Sequence, residues 1–465
     1  MSRKILPVAA VMLFAACSKK DDVTITPPPP PPPPRTVEAF PSTITSDVTL
    51  DASKDYNLTG QVYVKNGATL TIPAGVTVYM AKSDDAANKS VLVITQGAKL
   101  NVNGTEEKPV VFTSGATNKA PGDWGAIVIL GKAPTNVVTG NVPGLASSAD
   151  TKYGGNVSTD NSGSIKYLRV EYAGGINIGA EEEWDIDKVS GLVFASVGSG
   201  TTVDHVMVTN SRDDGFQFIG GTVNATHLIA YNNGDDDYDF DYGYQGRLQF
   251  VISYRSAINA THALRANALE SYNDKWPTTN EPFTRPVISN MTIIGPQGSE
   301  ASPTNINQAV YIRKGTRFVM ENSVIAEYTK GGLMVCPKTR IPWVQNTGSL
   351  FRYNLVHSDT ASRTFSYDTG ADPAGFYGVN GDAILKDFAL NSVNQNQLIT
   401  SSADLKLTTM YSSNGPNLTP AAGSPALSGA VFTDADLSTF FTVVPYRGAI
   451  GTNNWAAASN WAVWK

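Results

Sequence analysis

Two stretches carry the densest acid in the chain: residues 211–221 read SRDDGFQFIGG and residues 233–243 read NGDDDYDFDYG. Laid over one another they need no gaps, and Arg212 to Phe218 falls on Gly234 to Phe240 with an offset of 22 residues. The carboxylates so aligned are Asp213, Asp214, Asp235, Asp236, Asp237 and Asp239. Two kinds of chemistry suit such a set. A hard cation, calcium above all, takes roughly 6 to 8 oxygens at about 2.3–2.6 Å, and a turn rich in Asp and Asn supplies them. Alternatively, two carboxyls ~5–10 Å apart can cleave a glycosidic bond. Stacked turns offer many such pairs, so spacing alone singles out none.

The alignment has an electrostatic consequence. If equivalent residues stack at the ~4.8 Å spacing of neighbouring strands, Asp213 lies over Asp235 and Asp214 over Asp236. Two unit charges at that distance repel by roughly 3 kcal/mol at an effective dielectric near 20. Where the site is even partly buried, raised pKa values, outward splaying, Arg212 or a bound cation could each relieve that cost. Asp237, Asp239 and Asp241 alternate with Tyr238, Phe240 and Tyr242, which predicts a wet acidic strip on the outward face. Glu181, Glu182 and Glu183, with Asp185 and Asp187, read as a solvated insertion. A purely structural role, acids at turns keeping the surface soluble and blocking lateral strand pairing, competes with the ion site.

Other candidates are weaker. His205 and His227 share the same offset, with Gln249 next in the column, but spacing supplies no third metal ligand, so a polar ladder is the expected role. Arg212, Arg247, Arg255 and Arg265 lie near the acidic turns and are the bases a lyase would draw on; none stands in a motif. Trp184, Trp276 and Arg255 are candidate glycan contacts, whereas Trp455, Trp461 and Trp464 are expected to cap the last coil. His262 and His357 are isolated. The sequence contains no Ser-His-Asp pattern, phosphate loop or zinc signature.

The elements that would hold these residues follow from the same period. Runs of β-branched and aromatic residues alternate with polar ones, turn residues separate them, and repeats of 20–25 residues at period 2 define a β-solenoid. Leu248, Phe250 and Ile252 are read as facing inward over Thr226, Leu228 and Ala230. Phe216 over Tyr238 and Phe218 over Phe240 form internal stacks, and Asn210 over Asn232 an amide ladder. Further coils include residues 68–80, 89–115, 122–131, 162–175, 286–296 and 317–335, with no amphipathic helix among them.

The phrases LTIPAGVTV, GAKLNVNGTEEKPVVFTS, GDWGAIVILGKAP, TDNSGSIKYLRVEYAGG, DDGFQFIGGTVNATHLIAYNNGDDDYDFDYGYQGRLQFV, PVISNMTIIGP and YRGAIG resemble those of Bacteroidetes-type surface lipoproteins with a pectin-lyase-like, right-handed parallel β-helix. The resemblance implies an all-β fold, a single parallel β-helix with coils of about 22 residues. It implies no agreed activity, because that fold hosts lyases, hydrolases and adhesins alike.

The ends and composition complete the reading. Arg3 and Lys4 precede an apolar run from Ile5 to Ala16, too short for a permanent span and suited to a signal peptide. The run closes in Phe14-Ala15-Ala16-Cys17, which resembles a lipobox; Cys17 would carry the lipid. SKKDD at 18–22 resembles an export signal to the outer face of the outer membrane. Eight prolines at 27–34 form a stiff polyproline II spacer. The expected organisation is therefore 1–17 signal peptide, 18–46 tether, 47–445 β-helix and 446–465 C-terminal cap. A net charge of -6 with 16% charged residues argues against nucleic acid. With Cys17 lipidated, Cys336 has no intramolecular partner and is expected to be a small buried side chain. The expected molecule is a lipid-anchored monomer that binds extracellular polysaccharide or matrix, with calcium the cofactor to test; the alternative is a calcium-dependent lyase or glycosidase.

Overall fold

Short alternating strands bury one face, and the turns between them return the chain to the same point one layer on, so each coil can bury its apolar face only against its neighbours. The computed structural model describes residues 35–464 except 86–87, 138–139, 143–144, 175–188, 257–265, 275–277, 297–306, 337–342, 344–346 and 369–380. From Thr36 onward the chain is one compact unit. Its strands lie in two long sheets, of 17 and 11 strands, paired almost throughout in parallel, as in the neighbouring strands Thr202–Thr209 and Asn224–Tyr231. The protein is an all-β solenoid.

The 22-residue lap holds where the acidic phrases lie and fails around them. Phe216–Ile219 lies on Tyr238–Asp241 at that offset. One coil later Ala225 pairs with Leu248 and Leu228 with Val251, an offset of 23. Tyr238 pairs with Leu269, 31 residues on, and Arg247 with Val287, 40 on. One added residue before strand Arg247–Tyr254 turns every later side chain to the other face. Leu248 enters the core as read, but Val251 takes the inward place expected of Phe250, and Ile252 joins an apolar cluster outside the larger sheet. Phe250 sits instead at φ 58°, beneath Tyr167, His205 and His227 at φ 50°, 55° and 52°. Each long strand bends at this single left-handed residue, at a cost of about 1–2 kcal/mol per non-glycine position.

The aromatic stacks form as read: Phe216–Tyr238 and Phe218–Phe240 have ring centroids 5.1 and 5.2 Å apart. Coil-to-coil amide bonding is clearest at Asn354 and Asn396, whose side-chain oxygens accept the backbone N–H of Ser323 and Asn354 at 2.8 and 2.9 Å. The side chains of Asn210 and Asn232 bond instead to the hydroxyls of Thr209 and Ser256.

The boundaries also shift. Thr36–Ala39 already pairs with Lys54–Leu58, so the solenoid begins before residue 47. Its last parallel pairing joins Leu355–Val356 to Gln397–Leu398. Helix Gly381–Ala389, unforeseen in the sequence reading, closes the core: Leu385 and Ala389 are buried and Phe388 meets Trp343 edge to face at 5.0 Å. The C-terminal tryptophans are not an end cap. The tail runs back along the outside of the larger sheet as a strap, where Trp461 and Trp464 pack with Met207, Ile229, Ile252 and Ile294. Its backbone is pinned by Gln249 to Thr442, Asn290 to Tyr446 and Thr292 to Ala449, and Asn460 reaches the Glu107 carbonyl at 2.8 Å. No described helix is long and apolar enough to cross a membrane.

Candidate functional site

The acidic turns stack as the period requires. The Asp236 N–H donates to Asp214 Oδ1 at 3.0 Å, and the Asp235 N–H reaches the Asp213 carbonyl at 3.4 Å. Carboxylate oxygens of Asp213, Asp214 and Asp235 all lie within 4.8 Å of one another. On the next coil Asn267 donates both its backbone and side-chain N–H to Asp236 Oδ1, at 2.5 and 2.9 Å. Asp213, Asp214 and Asp236 are buried, and Asp235 is half-buried at the rim.

Asp237 and Arg255 are internal fasteners. Both side chains are fully buried, with Arg255 Nη2 3.3 Å from Asp237 Oδ1. The guanidinium also donates to the carbonyls of Asn233 at 2.5 Å, Asn267 at 3.1 Å, and Asp235. It thereby ties two successive coils together behind the acidic turns. This overturns the reading of Arg255 as a glycan contact: its charge is spent on main-chain oxygens and one carboxylate. Burial raises the Asp237 carboxyl, against the opposing pull of Arg255, Ser253 and Asn233.

The outward strip is not wet. Asp239 is 5% exposed and Asp241 0%, because neighbours on adjacent coils lie against them: Gln217 on one side in register, Glu270 on the other. Gln217 Nε2 donates to Asp239 Oδ2 at 3.4 Å and Asp241 Oδ2 at 3.2 Å, and the Tyr272 hydroxyl donates to Asp241 Oδ2 at 3.0 Å. The Oδ1 atoms of both aspartates are buried without a hydrogen-bond partner. Glu270 itself is held by Arg313 at 3.1 Å.

These contacts leave a bank of carboxyls with too little positive charge. Burial, then Asp213, Asp239 and Asp235, push Asp214 well up; burial, then Glu270, Asp235 and Asp214, do the same to Asp236. Asp239 is raised by burial and by Asp241, Glu270 and Asp236. Burial pushes Asp241 up to about 8 despite its bonds from Tyr272 and Gln217. At neutral pH such a bank must hold protons or gain a cation. The donor set suits a hard ion: oxygens only, two of them buried and unsatisfied.

The histidine pair acquires a third group the sequence reading lacked. Asp204 Oδ1 lies 2.8 Å from Nδ1 of both His205 and His227, and also accepts from Thr226 at 2.8 Å. The imidazoles stack at 4.2 Å and 18°. Near-parallel rings send their in-plane lone pairs in the same direction, so both nitrogens cannot meet one ion at the ~2.0–2.1 Å a metal needs. His227 is hydrogen-bonded to the Asp204 carboxylate, whereas His205 Nδ1 comes as close without a hydrogen bond. Burial opposes ionisation of Asp204, but the pull of His205, His227 and Thr226 outweighs it and holds the carboxyl far below its usual range. Phe250, not Gln249, stacks under His227 at 5.2 Å, and Trp455 and Trp461 of the strap close over the rings edge-on.

Cys17, Trp184, Trp276, His262, Arg265 and the acids at 181–187 lie outside the described residues. Trp124 is in the core and donates Nε1–H to the Glu171 carbonyl at 2.8 Å. Cys336 is buried, as expected. The site residues missed by sequence reasoning are Gln217, Asn267, Glu270 and Tyr272. Gln217 was within reach, being one 22-residue lap from Asp239; the others follow a coil of 31 and were not.

The parallel solenoid with this side-chain bank now meets its relatives. Residues 42–370 match the family described as a pectate-lyase like beta helix domain, and the chain belongs to that family. No curated protein and no solved structure matches it.

Proposed function

We propose that the protein is a surface-anchored β-helix lipoprotein, held to the outer membrane through Cys17, that binds extracellular glycan or matrix through a calcium-dependent acidic bank. One observation carries the cation: Asp239 and Asp241 lie side by side with buried, unsatisfied Oδ1 atoms, continuous with Asp214 and Asp236 in a bank whose carboxyls are all raised. A divalent ion there removes the mutual repulsion and supplies the missing partners. Asp213, Asp214 and Asp235 form the rim, where an ion retains positions open to a ligand's oxygens. Calcium titration by calorimetry, with melting in calcium and in chelator, tests this: wild type binds and melts higher, and Asp239→Asn/Asp241→Asn does neither. Absence of heat and of any calcium-dependent shift in melting removes the cation from the reading; a glycan array with and without calcium then decides the ligand.

The second reading is a polysaccharide-degrading enzyme. Asp239 and Asp241 reach one amide nitrogen of Gln217, which keeps them inside the ~10 Å span of a hydrolytic carboxyl pair, and Asp241 near 8 is an acid that keeps its proton at pH 7. Their burial stands against direct attack on a polymer. New reducing ends or unsaturated products from acidic polysaccharides, lost in Asp241→Asn, would favour this reading over binding.

A further inference from the structure

The acidic turns lead into the strands of the second sheet, and a different set of turns leads out of them. Past the far ends of strands Phe216–Ile219 and Tyr238–Asp241, where the chain turns back to the larger sheet, lies a cleft of about 360 Å³. That is the small end of the ~300–1,000 Å³ range of ligand pockets, suited to a single sugar unit. Its floor is a row of polar side chains from successive turns, Ser158, Ser199, Thr222 and Gln245, and its wall is made by Arg247 and Arg285 beside Val287.

The two arginines differ. Arg285 is engaged at all three nitrogens: Nη1 and Nη2 form a fork on Asp436 of the strap at 2.8 and 2.6 Å, and Nε donates to the Gly348 carbonyl at 2.7 Å. That fork holds the Asp436 carboxyl below its usual range. Arg247 has its backbone N–H fixed by Asn224 at 2.9 Å, while its side-chain Nε is buried without a hydrogen-bond partner. A guanidinium stays charged at any physiological pH; Asp436 is near enough for the charge of Arg247 to act on it, but the buried Nε–H still has no acceptor, which is unfavourable until a ligand supplies one.

The hydroxyls beside it have spent their protons inward. Thr222 Oγ1 donates to the Ser158 carbonyl at 2.5 Å, and Ser199 Oγ to the same carbonyl at 3.2 Å. The Gln245 amide donates to the Phe283 carbonyl at 3.3 Å. Thr222 Oγ1 also accepts the Ser199 N–H at 3.1 Å, so the hydroxyls offer the cleft their remaining lone pairs, and Gln245 its amide oxygen and second N–H, to the hydroxyls of a ligand. One planar cation beside several acceptors is the complement of a molecule with one oxyanion and several hydroxyls.

We infer that this cleft binds the sulfate or carboxylate group of an acidic sugar, with Arg247 on the oxyanion and the Ser199, Thr222 and Gln245 row on the sugar hydroxyls, without any divalent cation. No carboxyl of the acidic bank lines the cleft, and the ligand proposed for it needs no divalent ion.

Calorimetric titration of the protein in chelator, with glucose 6-sulfate, glucuronate, glucose and inorganic sulfate as separate probes, tests the inference. The expected result is binding of glucose 6-sulfate or glucuronate at least tenfold tighter than glucose, with the two arms telling sulfate from carboxylate. Arg247→Gln is expected to lose at least tenfold, Arg247→Lys to lose less, and Thr222→Val to weaken the sugars but not inorganic sulfate. Equal affinity for glucose and its sulfate, or no binding of any probe, overturns the inference. So does an Arg247→Gln protein that melts normally and binds as wild type does. Should Arg247→Gln fail to fold, the Thr222→Val comparison decides. Chelator separates the two proposals: the acidic bank fails through loss of calcium effects, the cleft through loss of the anion preference.

Discussion

The two outer faces of this solenoid solve the same problem in opposite ways. On the larger sheet the column Tyr167, His205, His227 and Phe250 stacks ring on ring, sets one carboxylate, Asp204, beside both imidazoles, and is sealed by Trp455 and Trp461 of the strap. On the smaller sheet the column Gln217, Asp239 and Glu270, with Asp241 beside it, stacks acid on acid, one amide serves two carboxyls, and two buried oxygens go without a partner. The first face leaves one buried nitrogen, His205 Nδ1, without a hydrogen bond, but it carries a single carboxylate, is sealed by the strap and spends its contacts on stability. The second retains frustration that a ligand can relieve, and this is the physical ground for placing function there.

Four measurements break or sharpen that contrast. Arg255→Met should have the largest effect, a loss of about 3–5 kcal/mol in chemical denaturation, because it leaves buried Asp237 and three carbonyls uncompensated. Stability close to wild type would mean the acidic turns do not need their fastener. Trp461→Ala on the sealed face should lose about 3 kcal/mol through the cavity left against Met207 and Ile229, with calcium response unchanged; a changed response would show the faces coupled.

The pH dependence should come next. The bank's carboxyls are raised, so between about pH 4 and 8 the folded chain binds more protons than the unfolded one, and stability in chelator should fall as pH rises through that window. Asp239→Asn/Asp241→Asn should flatten the slope, gaining about 1.4 kcal/mol at pH 8 for each pKa unit relieved, and calcium should flatten it in wild type. The smallest effect belongs to Asp204, whose pKa is lowered: its contribution is complete above about pH 4 and lost as pH falls below that. Asp204→Asn should cost about 1 kcal/mol at neutral pH and diminish as the sample is acidified from pH 4 to pH 2; a constant cost would disprove the carboxylate's role as acceptor for His227 and Thr226.

Much of the architecture could be read along the chain where one lap repeats without insertion. Phe216 over Tyr238, Asp214 over Asp236 and His205 over His227 needed only an offset of 22. The reading failed at the first added residue: Phe250 was turned inward when Val251 takes that place. A period-2 element has no tolerance for a slip of one. Trp461 and Trp464 were legible as apolar groups needing cover, but the surface they cover lies as far back as Met207, some 250 residues away in the chain.

The alternation of apolar and polar residues and the 22-residue echo by themselves determined a parallel β-solenoid with acids stacked on acids, because local spacing dictates which side chains share a face. Whether those acids met water or each other was decided only by the tertiary structure. Asp239 and Asp241 face outward yet are buried because Gln217, Glu270 and Tyr272 arrive from coils of unequal length. Burial, and with it the charge state of a carboxyl, depends on what long-range packing brings alongside, which spacing along the chain does not encode.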